Sequence, residues 1–71
     1  MKYMVVIEKT ENNFSAHVPD LPGCVATADT KEALISSIRE AIAFHIEGMQ
    51  NAGEAIPGPT TDVEFVEVSA A

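Results

Sequence analysis

A second cysteine is missing: Cys24 stands alone among 71 residues, so no disulfide can close within one copy of the chain. Histidine is nearly as scarce. Neither His17 nor His45 stands beside Cys24 at the paired, close spacing that a zinc site uses. Long apolar runs are missing too, and without some twenty consecutive apolar residues no helix crosses a membrane. The N-terminal "MKYMVVIEKTE" meets charge too early for the core of a signal peptide, and no small-residue cleavage site follows it. With one free thiol and no export signal, the expected compartment is the cytoplasm.

Positive charge is the fourth scarcity. Four Lys and Arg face eleven Asp and Glu, for a formal net charge of −7. Such a surface repels phosphate backbones, which excludes direct nucleic-acid binding by this chain alone. Two readings of the acidity stay open: it attracts a basic protein and speeds that encounter, or it only keeps a small protein soluble. Residues 1–71 make a single domain. A chain this short buries a modest share of its surface, and small domains add disulfides, a metal or a partner to compensate. With the first two removed, a homo-oligomer or another bound protein is the expected supplement. No cofactor is expected.

What is present organises itself along the chain. Residues 3–9, "YMVVIEK", are short, rich in β-branched side chains and nearly continuously apolar, which predicts a strand buried on both faces. "TENN" at 10–13 predicts a turn in which Asn supplies the left-handed conformation of a tight hairpin. "FSAHV" then alternates, with Phe14, Ala16 and Val18 facing one way and Ser15 and His17 the other. Residues 24–28, "CVATA", predict a third strand whose small side chains suit close packing of a helix. The helix follows over 29–53, with Asp29 as its N-cap and Glu32 completing a capping box. Leu34, Ile35, Ile38, Ala41, Ile42, His45, Ile46 and Met49 share one stripe at helical spacing. Gly53, Pro57 and Pro59 stop it. "DVEFVEV" at 62–68 predicts a last strand, and residues 69–71 a frayed end. The order is β-β-β-α-β: an α+β fold, one mainly antiparallel sheet with one helix packed on one face.

Catalytic constellations are thin. His45 sits within the apolar stripe with no group at helical spacing to orient it, and reads as a hydrogen-bonded packing histidine at a subunit contact. Cys24 has no basic neighbour and reads as a small buried hydrophobe. Ser36 and Ser37 lack a base. Glu8, Asp20 and Asp29 end strands or enter turns, but two-metal hydrolysis needs several acids converging on one metal pair. Asp29 is already engaged as a cap, and Glu8 stands beside Lys9. No enzyme and no metal site are expected. Phe44 lies off the main stripe near Ala33, Ser37 and Gly48, all small. It is either a self-association patch or an aromatic folded over the sheet edge of its own chain.

Residues 18–24, "VPDLPGC", are the distinctive stretch. Pro19 and Pro22 hold Val18 and Leu21 extended, and Gly23 can take the positive φ of a sharp reversal. The expectation is a pre-stiffened corner presenting Asp20 and Leu21 outward and losing little entropy on binding. A bare turn needs only two residues.

These stretches together resemble the HicB-type antitoxins of bacteria and archaea. The shared pattern is a strand ending in Glu, an aromatic after a polar turn, the corner "PDLPGC", the helix start "DTKEA" and the Pro-rich exit "GEAIPGP". It covers nearly the whole chain, and the corner and helix start are specific in combination. The resemblance implies a partial ribonuclease H-like fold without nuclease activity. It also implies a HicA-type toxin as partner, a small basic RNA-cleaving protein with a double-stranded-RNA-binding-like fold and a catalytic histidine. Many members carry a C-terminal ribbon-helix-helix or helix-turn-helix domain. These 71 residues leave no room for one, so promoter regulation by this chain is not expected.

The expected function is therefore inhibitory protein binding. By charge and exposure, Asp20, Leu21, Pro22, Glu8 and Glu11 form the toxin-binding surface, with Phe44 and His45 as an oligomer contact. The rival from another class is an orphan HicB-like homo-oligomer, structural or regulatory, without a toxin. A metal-dependent nuclease is the third reading, and would require Glu8 for cleavage.

Overall fold

Strand β1 spans Val6–Lys9, β2 Phe14–His17, β3 Val25–Ala28, and helix α1 Lys31–Asn51, in a computed structural model that describes residues 1–69. The expected strand and helix segments all form except the last, with boundaries drawn in by one to three residues. Successive strands are joined by short connections and pair antiparallel in the order β1-β2-β3.

The β1–β2 turn is closed by Thr10, whose N–H donates to the Asn13 carbonyl at 2.8 Å while its hydroxyl accepts from the Asn13 N–H at 3.1 Å. This corrects the expected left-handed Asn: among the described residues only Gly23 and Gly53 have positive φ. Thr10 and Asn13 close a four-residue turn with side-chain hydrogen bonds, so no residue has to enter the strained region.

Strand register sorts the side chains into two faces. Ile7, Ala16 and Ala26 stand opposite one another, and so do Lys9, Phe14 and Ala28. That face meets α1, which lies chiefly on β3 and more lightly on β2. The buried core is Ala16, Val18, Leu21, Cys24, Leu34 and Ile38, with Tyr3, Val5, Ile7, Ile42 and Ile46 among the half-buried side chains around it. The alternation in β2 therefore stands as read. The double burial expected for residues 3–9 does not. Among the described residues one helix covers the sheet, and β1 is an edge, so Val6 and Ile7 are half-buried and Glu8 and Lys9 exposed.

Thr30, not Asp29, caps α1: its side-chain oxygen accepts from the Ala33 N–H at 3.1 Å. Both residues are good caps, and the chain's exit from β3 puts Thr30 in the extended conformation that the cap requires. At the other end, the Gly53 N–H reaches the Gln50 carbonyl and the Glu54 N–H the Met49 carbonyl. With Gly53 at φ 71°, this is the left-handed closure that lets orphan carbonyls be satisfied.

The fourth expected strand is absent from the ladder: residues 62–68 carry no strand pairing, and Val63, Phe65, Val66 and Val68 are exposed. The linker explains why. Tyr3 donates its hydroxyl to the Pro57 carbonyl at 2.5 Å, and Asp20 then holds Thr60 and Thr61. The chain is thus carried across the end of the sheet toward the β2–β3 corner and away from the free edge of β1. A radius of gyration of 14.4 Å and a long axis of 52 Å reflect the projecting tail, against about 11 Å for a compact chain of this length. The α+β architecture, one antiparallel sheet with one helix on one face, is unaffected. The frayed end expected at Ala70 and Ala71 lies outside the described residues.

Candidate protein-binding surface

The corner is two β-turns in series. The Leu21 N–H donates to the Val18 carbonyl and the Cys24 N–H to the Leu21 carbonyl, both at 3.0 Å, and the Val18 N–H closes the whole loop onto the Cys24 carbonyl at 3.1 Å. Each turn has proline in its second position, where the ring's fixed φ is wanted, and Gly23 supplies φ 86° in the third position of the second turn. Three backbone hydrogen bonds thus close the loop.

Its presentation differs from expectation. Leu21 points inward and is 0 % exposed, between Val18 and Cys24 in the core. Reversing the chain twice brings the residue shared by both turns back over the sheet, where burying a leucine is worth about 1.5–3 kcal/mol. Pro22 and Gly23 are exposed, and Asp20 is half-buried. The Asp20 carboxylate accepts from the Thr61 hydroxyl at 2.7 Å, the Thr61 N–H at 3.1 Å and the Thr60 hydroxyl at 3.1 Å. Those bonds, led by the Thr61 hydroxyl and the Thr61 N–H, hold its carboxyl below the ordinary value, against a smaller opposing effect of burial. Asp20 is thus the clasp that ties the linker to the corner.

Beside the corner lies the sheet face that α1 does not cover. Its opposed rows are Val6, His17 and Val25, then Glu8, Ser15 and Thr27. Val25 is 64 % exposed. Glu8 belongs to this face; Glu11 sits on the hairpin turn at the far end of the sheet from Asp20, so the expected acids are spread along the molecule. His17 stands on the face its alternation implies, whereas the exposure of Val25 departs from the close helix packing expected of β3; the available signal is that one helix covers one face of a sheet.

The remaining candidates separate. Phe44 is 79 % exposed on α1, which removes the reading in which it folds over its own sheet edge, and His45 next to it is half-buried. Cys24 is a buried free thiol whose pKa burial pushes up, as its reading as a small hydrophobe requires. Asp29 is exposed and free of capping duty. A groove of about 430 Å³ runs between the N-terminal segment and α1. Val5, Ile35, Ile38 and Ile42 line it, with Lys2 and Arg39 among its polar side chains. Among the described residues no three His, Cys, Asp or Glu gather where they would hold a metal ion, and no helix is long and apolar enough to cross a membrane.

Comparison with known proteins gives a consistent set of likenesses. Residues 3–70 match the family model described as a HicB-like antitoxin of bacterial toxin-antitoxin systems. An uncharacterized 14.9 kDa protein of Haemophilus phage HP1 is 42% identical over 57 residues, covering 80% of this chain and 43% of that protein. The chain thus spans less than half of the phage relative. A UPF0150 protein of Archaeoglobus fulgidus is 36% identical over 69 residues, with 96% of both chains covered. One of Thermoplasma acidophilum is 41% identical over 58 residues, covering 80% of this chain and 84% of its own. Among solved structures, a chain of a HicA3 and HicB3 toxin-antitoxin complex superposes with a TM-score of 0.67 at 34% identity, covering 83% of this chain and 72% of that one.

Proposed function

Because this chain belongs to the HicB-like antitoxin family, we propose that it binds a HicA-type toxin, a small basic RNA-cleaving protein, and blocks its active site. The observation that carries this reading is the fit to a chain of a HicA3–HicB3 complex at 34% identity. The surface we assign to the toxin is the bare sheet face with the corner at its end. Glu8 and Glu11 offer negative charge to a basic partner. Val25 and Pro22 offer exposed apolar area, and Leu21 acts from below by anchoring the corner. Asp20 contributes by holding corner and linker in one piece. The chain does no chemistry of its own in this reading and works in the cytoplasm, where the toxin finds its RNA.

The test is co-expression with a HicA-type toxin, sought first as a short basic reading frame beside this one, followed by pull-down and an RNA-cleavage assay. Wild type co-purifies and suppresses cleavage. Glu8→Lys with Val25→Asp, both at exposed positions, weakens binding without unfolding the chain. Unchanged affinity in that variant removes the surface assignment, and failure to co-purify removes the toxin. A second reading, a homo-oligomer without a toxin, draws on exposed Phe44 beside His45 as the contact; no short basic reading frame would then lie beside it.

A further inference from the structure

We propose that residues 62–68 are a strand to be donated: in a two-fold dimer, the tail of each copy lies in the groove between the N-terminal segment and α1 of the other. The tail has the composition of a strand and the exposure of a ligand. Phe65 is 92 % exposed, and Val63, Val66 and Val68 are exposed with it. Four large apolar side chains in seven residues represent a surface that folding alone leaves in water.

Its own chain does not offer the tail a wall. Pro57 is tied to Tyr3 at the end of the groove, but Thr60 and Thr61 are then bonded to Asp20 at the β2–β3 corner. Beyond that point Val63, Phe65, Val66 and Val68 are exposed, and none of the tail lines the groove. From Thr61 to Val68 an extended chain reaches about 23 Å, enough to run the length of a neighbour's edge strand.

Groove and tail are complementary. Lys2 and Arg39, two of the chain's four cations, line the groove together with Val5, Ile35 and Ile42. The tail carries Asp62, Glu64 and Glu67. With the two-residue period of a strand, Val63, Phe65 and Glu67 share one face, so two apolar side chains and then an acid meet an apolar floor and a cationic partner. Among the described residues β1 pairs with β2 alone, which leaves N–H and C=O groups on its outer edge for an added strand.

A second copy is the occupant that satisfies both halves. A basic toxin would take the acidic tail but be repelled by Lys2 and Arg39. An exchanged pair of identical chains fills both grooves with both tails under one two-fold axis. At −7 per copy the subunits repel overall, so the local match also selects how they meet.

The experiment is the solution mass of the full chain by light scattering across micromolar concentrations, with circular dichroism as the folding control. Wild type shows twice the 7.6 kDa chain mass. Phe65→Asp weakens the dimer about a hundredfold or more, with unchanged helical signal because the side chain is exposed in the folded chain. Arg39→Glu weakens it about tenfold, and adding Glu67→Arg to the same chain restores it. A wild-type monomer overturns the proposal. So does a dimer that survives Phe65→Asp, or one that Phe44→Ser dissolves while Phe65→Asp does not. Tail variants that stay dimeric but lose a HicA-type toxin assign the tail to the toxin, and overturn it as well.

Discussion

The corner at 18–24 and the tail at 62–68 begin from similar material and end in opposite states. Each is a short segment outside the strands and helix, and each carries large apolar side chains next to acids. In the corner, Leu21 is completely buried; in the tail, Phe65 is almost completely exposed. The difference is what the chain itself supplies. The corner folds back over a sheet and a helix that are already there, and two backbone-closed turns aim Leu21 at them. The tail starts from residues that the Asp20 clasp holds at the corner, and its large apolar side chains stay exposed. Hydrophobicity indicates that a residue seeks cover; connectivity decides whether the cover is in the same molecule.

The largest effect that would sharpen this contrast is on stability. Leu21→Ala removes a fully buried side chain from a six-residue core and costs about 2–5 kcal/mol, a large part of what a domain this small has. Phe65→Ala in the isolated chain costs no more than about 0.5 kcal/mol. Urea midpoints read at concentrations low enough to keep the chain monomeric check both. Equal losses at the two positions would erase the distinction between corner and tail.

Gly23→Ala comes next. A Cβ there meets nothing within 4 Å, so its cost is backbone strain alone, about 1–2 kcal/mol for a left-handed residue; a shift in thermal midpoint measures it. Thr30→Ala removes the cap of α1 for about 1 kcal/mol. Asp29→Ala leaves the helical dichroism and the midpoint nearly unchanged.

The smallest effect is pH-dependent and lies where corner and tail are joined. The Asp20 carboxyl ionises at lower pH when folded than in the unfolded chain, so its contribution is fully present above the ordinary value of 3.8 and is lost as pH falls through the folded-state value. Acid therefore loosens the Thr60 and Thr61 bonds in wild type. Asp20→Asn removes that acid dependence, seen as a flat pH response of the Thr61 amide resonance below pH about 5.

Much of this was legible beforehand, for identifiable reasons. Period-two alternation in "FSAHV" and the long stripe from Leu34 to Met49 are local signals, and the strands and helix follow them. The cap lies one residue beyond the expected Asp29 because Asp29 and Thr30 are both competent, and the exit from β3, not side-chain chemistry, chooses between them. The inward turn of Leu21 is not legible in its neighbours, because proline and glycine mark a loop without saying which way its middle residue points; that depends on two turns acting in series. The tail's alternation correctly marks a strand-like segment, but pairing is a non-local property, and no residue within 62–68 names its partner. The bare sheet face was readable only by counting helices against faces.

The most direct test is RNA cleavage by a HicA-type toxin in the presence of an equimolar amount of the purified chain. The account predicts that cleavage is suppressed and that Glu8→Lys with Val25→Asp restores it while the chain stays folded. Cleavage that proceeds unchanged beside the wild-type chain would contradict it.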